Sequence, residues 1–346
     1  SGQWITAVIS ALTLLAARAL LALPLATRNP SGWVVPFIVS IAIYLLVVWR
    51  GLDANHADFL RKLATDRAVS LGVGGFIDKV ISWCQVNFQA AFTGIVIVTR
   101  TIIDGIEGAL GWLPIPVPAL ALLFAAWRFA GKGVFALTLL AIAYLVFFGF
   151  WSQTVSTIAL VGASVFITIL VGIPVGILLA RSSVARRFAE PLLDVMQTLP
   201  SFVYLIPAVA FFSVGKTPAL VATVVFATPP MIRLTALGIR EVSHTAVEAA
   251  YAHGANAWQV LTKVELPLAL PSLMLGVNQA IVMSLSMVVV SALIGAGGLG
   301  YDVVTALRNI QGGAGFLAGL AIVFCALVPD RIIQRAMRKN RRYLKN

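Results

Sequence analysis

Charge is what this chain has least of. Only 13 Asp and Glu residues occur among 346, and charged residues make up 11% of the total. No Asp, Glu, Lys or Arg lies between Lys132 and Arg181, between Glu265 and Asp302, or between Arg308 and Asp330. A soluble domain carries about 25% charged residues, so a water-soluble globule is excluded. Cysteine is almost absent as well. Cys84 and Cys325 stand far apart and read as packing residues rather than as a disulfide or a metal site. The three histidines, His56, His244 and His253, show no metal-ligand spacing. There is no Walker A sequence, and no Ser-His-Asp grouping or carboxylate pair lies in an apolar run. No enzyme chemistry is therefore read from the chain, and if ATP drives it, another subunit hydrolyses that ATP. The alternating, more polar strands of a β-barrel are missing. The first residues lack a positive n-region and a cleavage site, so no signal peptide is expected there.

What remains is 60% hydrophobic. Apolar runs long enough to cross a bilayer, which takes about 20 residues, predict an all-α polytopic membrane protein. About nine spans are expected, at 4–25, 33–49, 115–130, 133–150, 153–181, 190–213, 217–240, 267–295 and 314–336. They divide the chain into an N-terminal extension with two spans (1–50), a polar and amphipathic segment (51–112), a core (113–336) and a basic tail (337–346). Within 51–112, Arg100, Asp104 and Glu107 recur at helical spacing against Ile and Val. That pattern suits a helix lying in the membrane interface rather than one crossing it.

The net charge of +12 would suggest nucleic acid in a soluble protein. Here the basic residues cluster at span ends, so they set topology instead and no nucleic-acid partner is expected. If loops 128–132, 181–189 and 233–266 and the C-terminal tail lie inside, the inside holds fifteen Lys and Arg and the outside two, Lys216 and Arg308. Nine spans would put the N-terminus outside, along with five basic residues between 50 and 80. The first half therefore does not fix its own orientation.

Amid this apolar sequence, "EAAYAHGANAWQVLTKVELP" (Glu248 to Pro267) is a polar interruption. Thr245 with Glu248 has capping-box spacing, Gly254 can supply a left-handed stop, and Asn256 with Gln259 can open a second short helix ending at Pro267. The expectation is helix, glycine turn, helix, lying across the cytoplasmic surface. Tyr251, Trp258, Val260 and Leu261 would give the pair an apolar face for a partner. An ordinary well-capped linker is the competing reading.

At this point a resemblance becomes specific. Permease subunits of binding-protein-dependent ABC importers carry EAA, three residues, Gly, nine residues, an aliphatic residue, one residue and Leu-Pro. Glu248, Ala249, Ala250, Gly254, Val264, Leu266 and Pro267 stand at that spacing. The segments Glu190 to Phe212, Ala227 to Ile239 and Leu266 to Gly300 extend the likeness to permeases for glycine betaine, proline betaine and choline, over roughly residues 85–336. The resemblance implies the type I ABC-importer permease fold, with loop 243–266 as the coupling helix that fits a groove on an ATPase. It implies a second copy of the permease, a cytoplasmic ATPase dimer carrying ATP and Mg, an external binding protein, and a bacterial inner-membrane location.

Other motifs are weaker. "GAGGLG" (Gly295 to Gly300) follows a span and has no acidic residue about 20 positions on, so it reads as a tight outer turn and not a nucleotide site. Pro200 and Pro207 fall in one span, and Pro229 and Pro230 in the next. Their kinks are either static shape or a moving gate. Ser272, Gly276, Gln279, Met283 and Ser286 share one helical face that can pack, line a pathway, or both. The spans hold almost no acidic residue to meet a cationic solute. Aromatics such as Trp151, Phe202, Tyr204, Phe211 and Phe212 could meet it instead, or simply pack. An importer of another small solute (trimethylamine N-oxide, taurine or an amino acid) is the runner-up. An ion-driven secondary transporter would call for midplane acids and inverted repeats, and neither is seen.

Overall fold

The computed structural model describes residues 68–343. The chain divides into two compact units, Ser1–Val80 and Ile81–Asn346, and the second carries the helices of interest. The expected spans at 4–25 and 33–49, and the polar start of the 51–112 segment, lie outside the described residues. Among the described residues there is no strand.

Helix α1 covers Ala68–Asn87 and α2 Gln89–Trp112. Helix α3, Pro116–Ala125, runs through a wider π turn to Ala130, and α4 is Lys132–Phe147. Then come α5 (Trp151–Arg181), α6 (Ser183–Thr198) and, after a 3-10 turn at Ser201–Tyr204, α7 (Leu205–Phe212). Helix α8 is Lys216–Arg240, α9 His244–Ala252 and α10 Ala257–Val260. A π turn at Leu261–Glu265 leads into α11 (Leu266–Ser291). Helices α12 (Gly298–Arg308) and α13 (Gly312–Tyr343) complete the chain. Among the described residues, five helices are long and apolar enough to cross a membrane, or six if the bent pair α6 and 201–212 counts as one span. Pro116–Ala130 and Lys132–Phe147 are shorter apolar helices.

The core is built on α5, α8 and α11. Glycine lets them approach. A Cβ on Gly172 would lie 2.6 Å from Met231 Cγ, and one on Gly176 2.5 Å from Thr235 Cβ, so α5 and α8 run side by side in the same direction. A Cβ on Gly238 would lie 2.6 Å from Ser272 Cβ, and one on Gly276 3.0 Å from Met231 Sδ, which sets α11 antiparallel to α8. Small residues at such crossings are how membrane helices gain van der Waals contact when lipid is as apolar as leucine. Pro229 and Pro230 are buried inside α8.

One expectation needs correction. The span expected at 190–213 is not one helix: α6 and the 201–212 segment meet at a 110° bend. Leu199 stands before Pro200 in extended conformation, where a proline ring drives its predecessor. Tyr204 OH donates to the Met196 carbonyl across this corner. Residues 89–112 carry the charges that read as interfacial. They form one 24-residue helix apolar enough to cross, and it is packed into the bundle. Ile103 is fully buried, and Thr99 Oγ1 donates to Thr217 Oγ1 at 3.2 Å. Glu107 accepts from Ser156 at 2.7 Å and from Lys216 at 2.6 Å. Glu107 is thus paired toward α5 and α8, and Asp104 stands 3.9 Å from Lys216.

Candidate functional site

The polar interruption lies between the end of α8 and the start of α11. Helix α9 begins at His244 and has no buried residue. The expected box of Thr245 and Glu248 does not form. The helix starts two residues early with Ser243 at the N-cap, which makes no side-chain capping bond, so Thr245 falls inside the first turn and not at the cap. Gly254 adopts φ +81°, the left-handed conformation expected of it, with open space where a Cβ would stand. The second box does form: Gln259 N–H donates to Asn256 Oδ1 and Asn256 N–H to Gln259 Oε1, both at 2.9 Å.

The second helix does not end at Pro267, as expected from its proline. Ala257–Ile294 is one continuous 38-residue run. Just ahead of Pro267, the Leu266 N–H reaches back five residues to the Leu261 carbonyl. Proline lacks an N–H and its ring crowds the carbonyl four residues back, so here the helix widens by a π turn instead of stopping. Such turns recur at functional sites.

The motif therefore has two halves. Glu248, Ala249 and Gly254 are exposed, and Ala250 is half-buried. Tyr251 and Trp258 are 50% and 69% exposed. Val264 and Leu266 are half-buried against the bundle and Pro267 is exposed at its edge. Val260 and Leu261, expected on the outward face, are buried in the base. The outward apolar surface thus rests on Tyr251 and Trp258. The base is held by Arg181 at the end of α5, whose Nη2 donates to Glu265 Oε2 at 2.9 Å and to the Ala257 carbonyl at 3.4 Å. Sequence reasoning missed this contact, because the partners stand 84 residues apart with no local pattern joining them.

The remaining site residues are scattered. Pro200 occupies the bend between α6 and 201–212, while Pro207 is exposed on α7. Phe202 is exposed, whereas Tyr204 is buried edge-on to Phe226 at 5.6 Å. Phe211 and Phe212 pack on Phe92 at 5.1 and 5.6 Å. On α11, Ser272 and Gly276 meet α8 at Gly238 and Met231. Farther along, Gln279 and Ser286 are exposed and Met283 is half-buried. The face so divides into a packing half and an open half.

The glycine run after α11 is a turn. Gly295, Gly297 and Gly298 all have positive φ, between 68° and 83°. Leu299 N–H donates to Thr157 Oγ1 at 2.9 Å, and a Cβ on Gly298 would stand 2.6 Å from that oxygen. The run is thus spent on seating the chain against α5.

Residues 172–342 match the family model described as binding-protein-dependent transport system inner membrane component. The chain is 40% identical over 269 residues to the glycine betaine transport system permease protein OpuAB of Bacillus subtilis, covering 78% of this chain and 95% of that one. It is 40% identical over 266 residues to the glycine betaine/proline betaine permease ProW of Escherichia coli, covering 77% and 75%. A solved chain of the MetNI methionine ABC transporter in an inward-facing conformation aligns at TM-score 0.48 and 24% identity, covering 52% of this chain and 93% of that one. The exposed loop, the helical bundle, the family match and the two permease relatives converge: the chain belongs to the binding-protein-dependent ABC transporter permeases of the inner membrane, in their betaine branch.

Proposed function

We propose that this chain is the solute-conducting subunit of an ATP-driven importer for glycine betaine and related quaternary ammonium solutes. The observation that carries the proposal is the 40% identity spanning 95% of a glycine betaine permease. Two copies would enclose one path. A cytoplasmic ATPase dimer, which would hold the ATP and Mg, would dock on α9, with Glu248, Ala249, Ala250, Tyr251 and Trp258 in its groove. Closure of that dimer on ATP would be passed through the continuous helix Ala257–Ile294 into the membrane. An external binding protein would deliver the solute and supply most of the affinity. Phe202, Gln279, Met283 and Ser286 are the side chains proposed to face the path, and the Pro200 corner and the Pro229–Pro230 pair the places where the spans flex. Aromatic faces attract a quaternary ammonium without the cost of an intramembrane carboxylate, so the path would hold the solute weakly and release it.

The test is uptake into proteoliposomes containing the permease, its ATPase and its binding protein. ATP-dependent accumulation of labelled glycine betaine, competed by proline betaine or carnitine, is the expected result. Accumulation of trimethylamine N-oxide with no effect of glycine betaine would shift the substrate, since a trimethylamine N-oxide permease of Pelagibacter ubique is 36% identical over 60% of this chain. Uptake independent of ATP and driven by an ion gradient would overturn the class.

A further inference from the structure

Apart from the buried Val260 and Leu261 at its base, the interrupted loop is held to the rest of the molecule by few polar contacts. Helix α9 buries nothing, and the capping bonds of Asn256 and Gln259 are internal to the loop. Among the described residues, the only side-chain hydrogen bonds and ion pair that join 243–266 to another helix are those of Arg181. One nitrogen of its guanidinium reaches both Glu265 Oε2 and the Ala257 carbonyl. These two acceptors stand at opposite ends of the stretch containing the π turn Leu261–Glu265. The arginine therefore clasps the widened turn from outside and ties it to the last residue of α5. Arginine suits this because its planar fork presents several donors in fixed directions, where a lysine offers one compact charge.

We propose that Arg181 is a positioning residue for coupling: it makes the loop, the π turn and α5 move as one piece. On the reading that the loop receives the ATPase, which this inference assumes, a push on α9 has two routes into the membrane. One runs along Ala257–Ile294 itself. The other runs through Arg181 into α5, which packs on α8 through Gly172 and Gly176. Without the clasp, the π turn is free to bend and absorbs the displacement, so ATP is hydrolysed without a matching movement of α5. The pair is partly exposed, with side-chain exposures of 40% and 15%, and such pairs contribute little to stability. Loss of the clasp should therefore leave folding intact and affect transmission.

The experiment uses the full complex in proteoliposomes and measures glycine betaine accumulated per ATP hydrolysed, alongside co-purification of the ATPase. Arg181→Ala and Glu265→Gln should bind the ATPase and melt as the wild type does, and keep most of the stimulated hydrolysis, while accumulation per ATP falls several-fold. The exchange Arg181→Glu with Glu265→Arg should recover part of that ratio, though not all, because a carboxylate on α5 cannot donate to the Ala257 carbonyl. An unchanged ratio in Arg181→Ala, or an exchange no better than either single variant, overturns the proposal while leaving the loop reading untouched. A wild-type chain that binds no ATPase overturns the loop reading, and the clasp with it.

Discussion

The membrane core and the polar loop use glycine for opposite purposes. Along α5, α8 and α11, glycine is required because there is no room: at Gly172, Gly176 and Gly238 an added Cβ would lie within 2.6 Å of a neighbouring helix. At Gly254 there is nothing within 4 Å of an added Cβ, and the requirement is a φ of +81°. The core glycines serve packing and hence the fold. The loop glycine serves the shape of the turn after α9, a helix that buries nothing. On the proposed reading, a helix that buries nothing yet ends in a left-handed turn and is followed by a formed capping box is shaped for contact with the ATPase.

That contrast is testable by substitution, beginning where the effect should be largest. Gly176→Leu drives a side chain into Thr235 and toward the Ile232 carbonyl, 2.9 Å from an added Cβ. Overpacking of this kind costs about 1–3 kcal/mol, occasionally more. Membrane abundance and thermal stability in detergent should both fall sharply, and uptake with them. If Gly176→Leu accumulates and melts as the wild type does, the close packing of α5 on α8 is wrong.

Gly254→Val should separate folding from function. A β-branched residue in left-handed conformation carries strain of about 1–3 kcal/mol, but it meets no neighbour and sits in a segment outside the core. Abundance and melting should stay near wild type, while solute-stimulated ATP hydrolysis and uptake are lost together. Full stimulation and full uptake would make the loop a passive linker.

Asn256→Ala removes one side of the formed capping box, a loss of about 0.5–2 kcal/mol. The loop should fray at Ala257, with faster amide exchange there and partial loss of stimulated hydrolysis, while exchange in α5 and α8 is unchanged. Thr245→Ala should do almost nothing, within about 0.5 kcal/mol, as for a surface substitution away from any special feature. A defect in Thr245→Ala as large as in Asn256→Ala would restore the capping role that the structure denies it.

These last two residues show how far the sequence could be read. Both Thr245/Glu248 and Asn256/Gln259 have capping-box spacing, and only the second forms, because spacing does not say which residue begins the helix. Ser243 sits two positions upstream and moves the start. Gly254 was legible since its conformation is a local matter. The continuity of Ala257–Ile294 was not, because proline's usual effect as a terminator can be absorbed by one π turn. The long apolar helices α5, α8 and α11 were legible from composition, and so was the motif at Glu248 to Pro267. The 110° corner at Pro200 was hidden because a kink and a break leave the same proline in the sequence. The pairing of Glu107 and Asp104 was hidden, because their partner Lys216 lies on another helix. Pairing of that kind, like the Arg181 clasp, is decided by tertiary contact and leaves no periodic trace.

The central question is whether the exposed half of the loop meets an ATPase. A photo-activatable residue introduced at Ala249 or Tyr251, with Ile310, 93% exposed beyond the other end of the bundle, as the comparison position, tests this in the purified complex. Covalent adducts to the ATPase from Ala249 and Tyr251, and none from Ile310, are the expected result. A stable complex that gives no adduct from either loop position would contradict it.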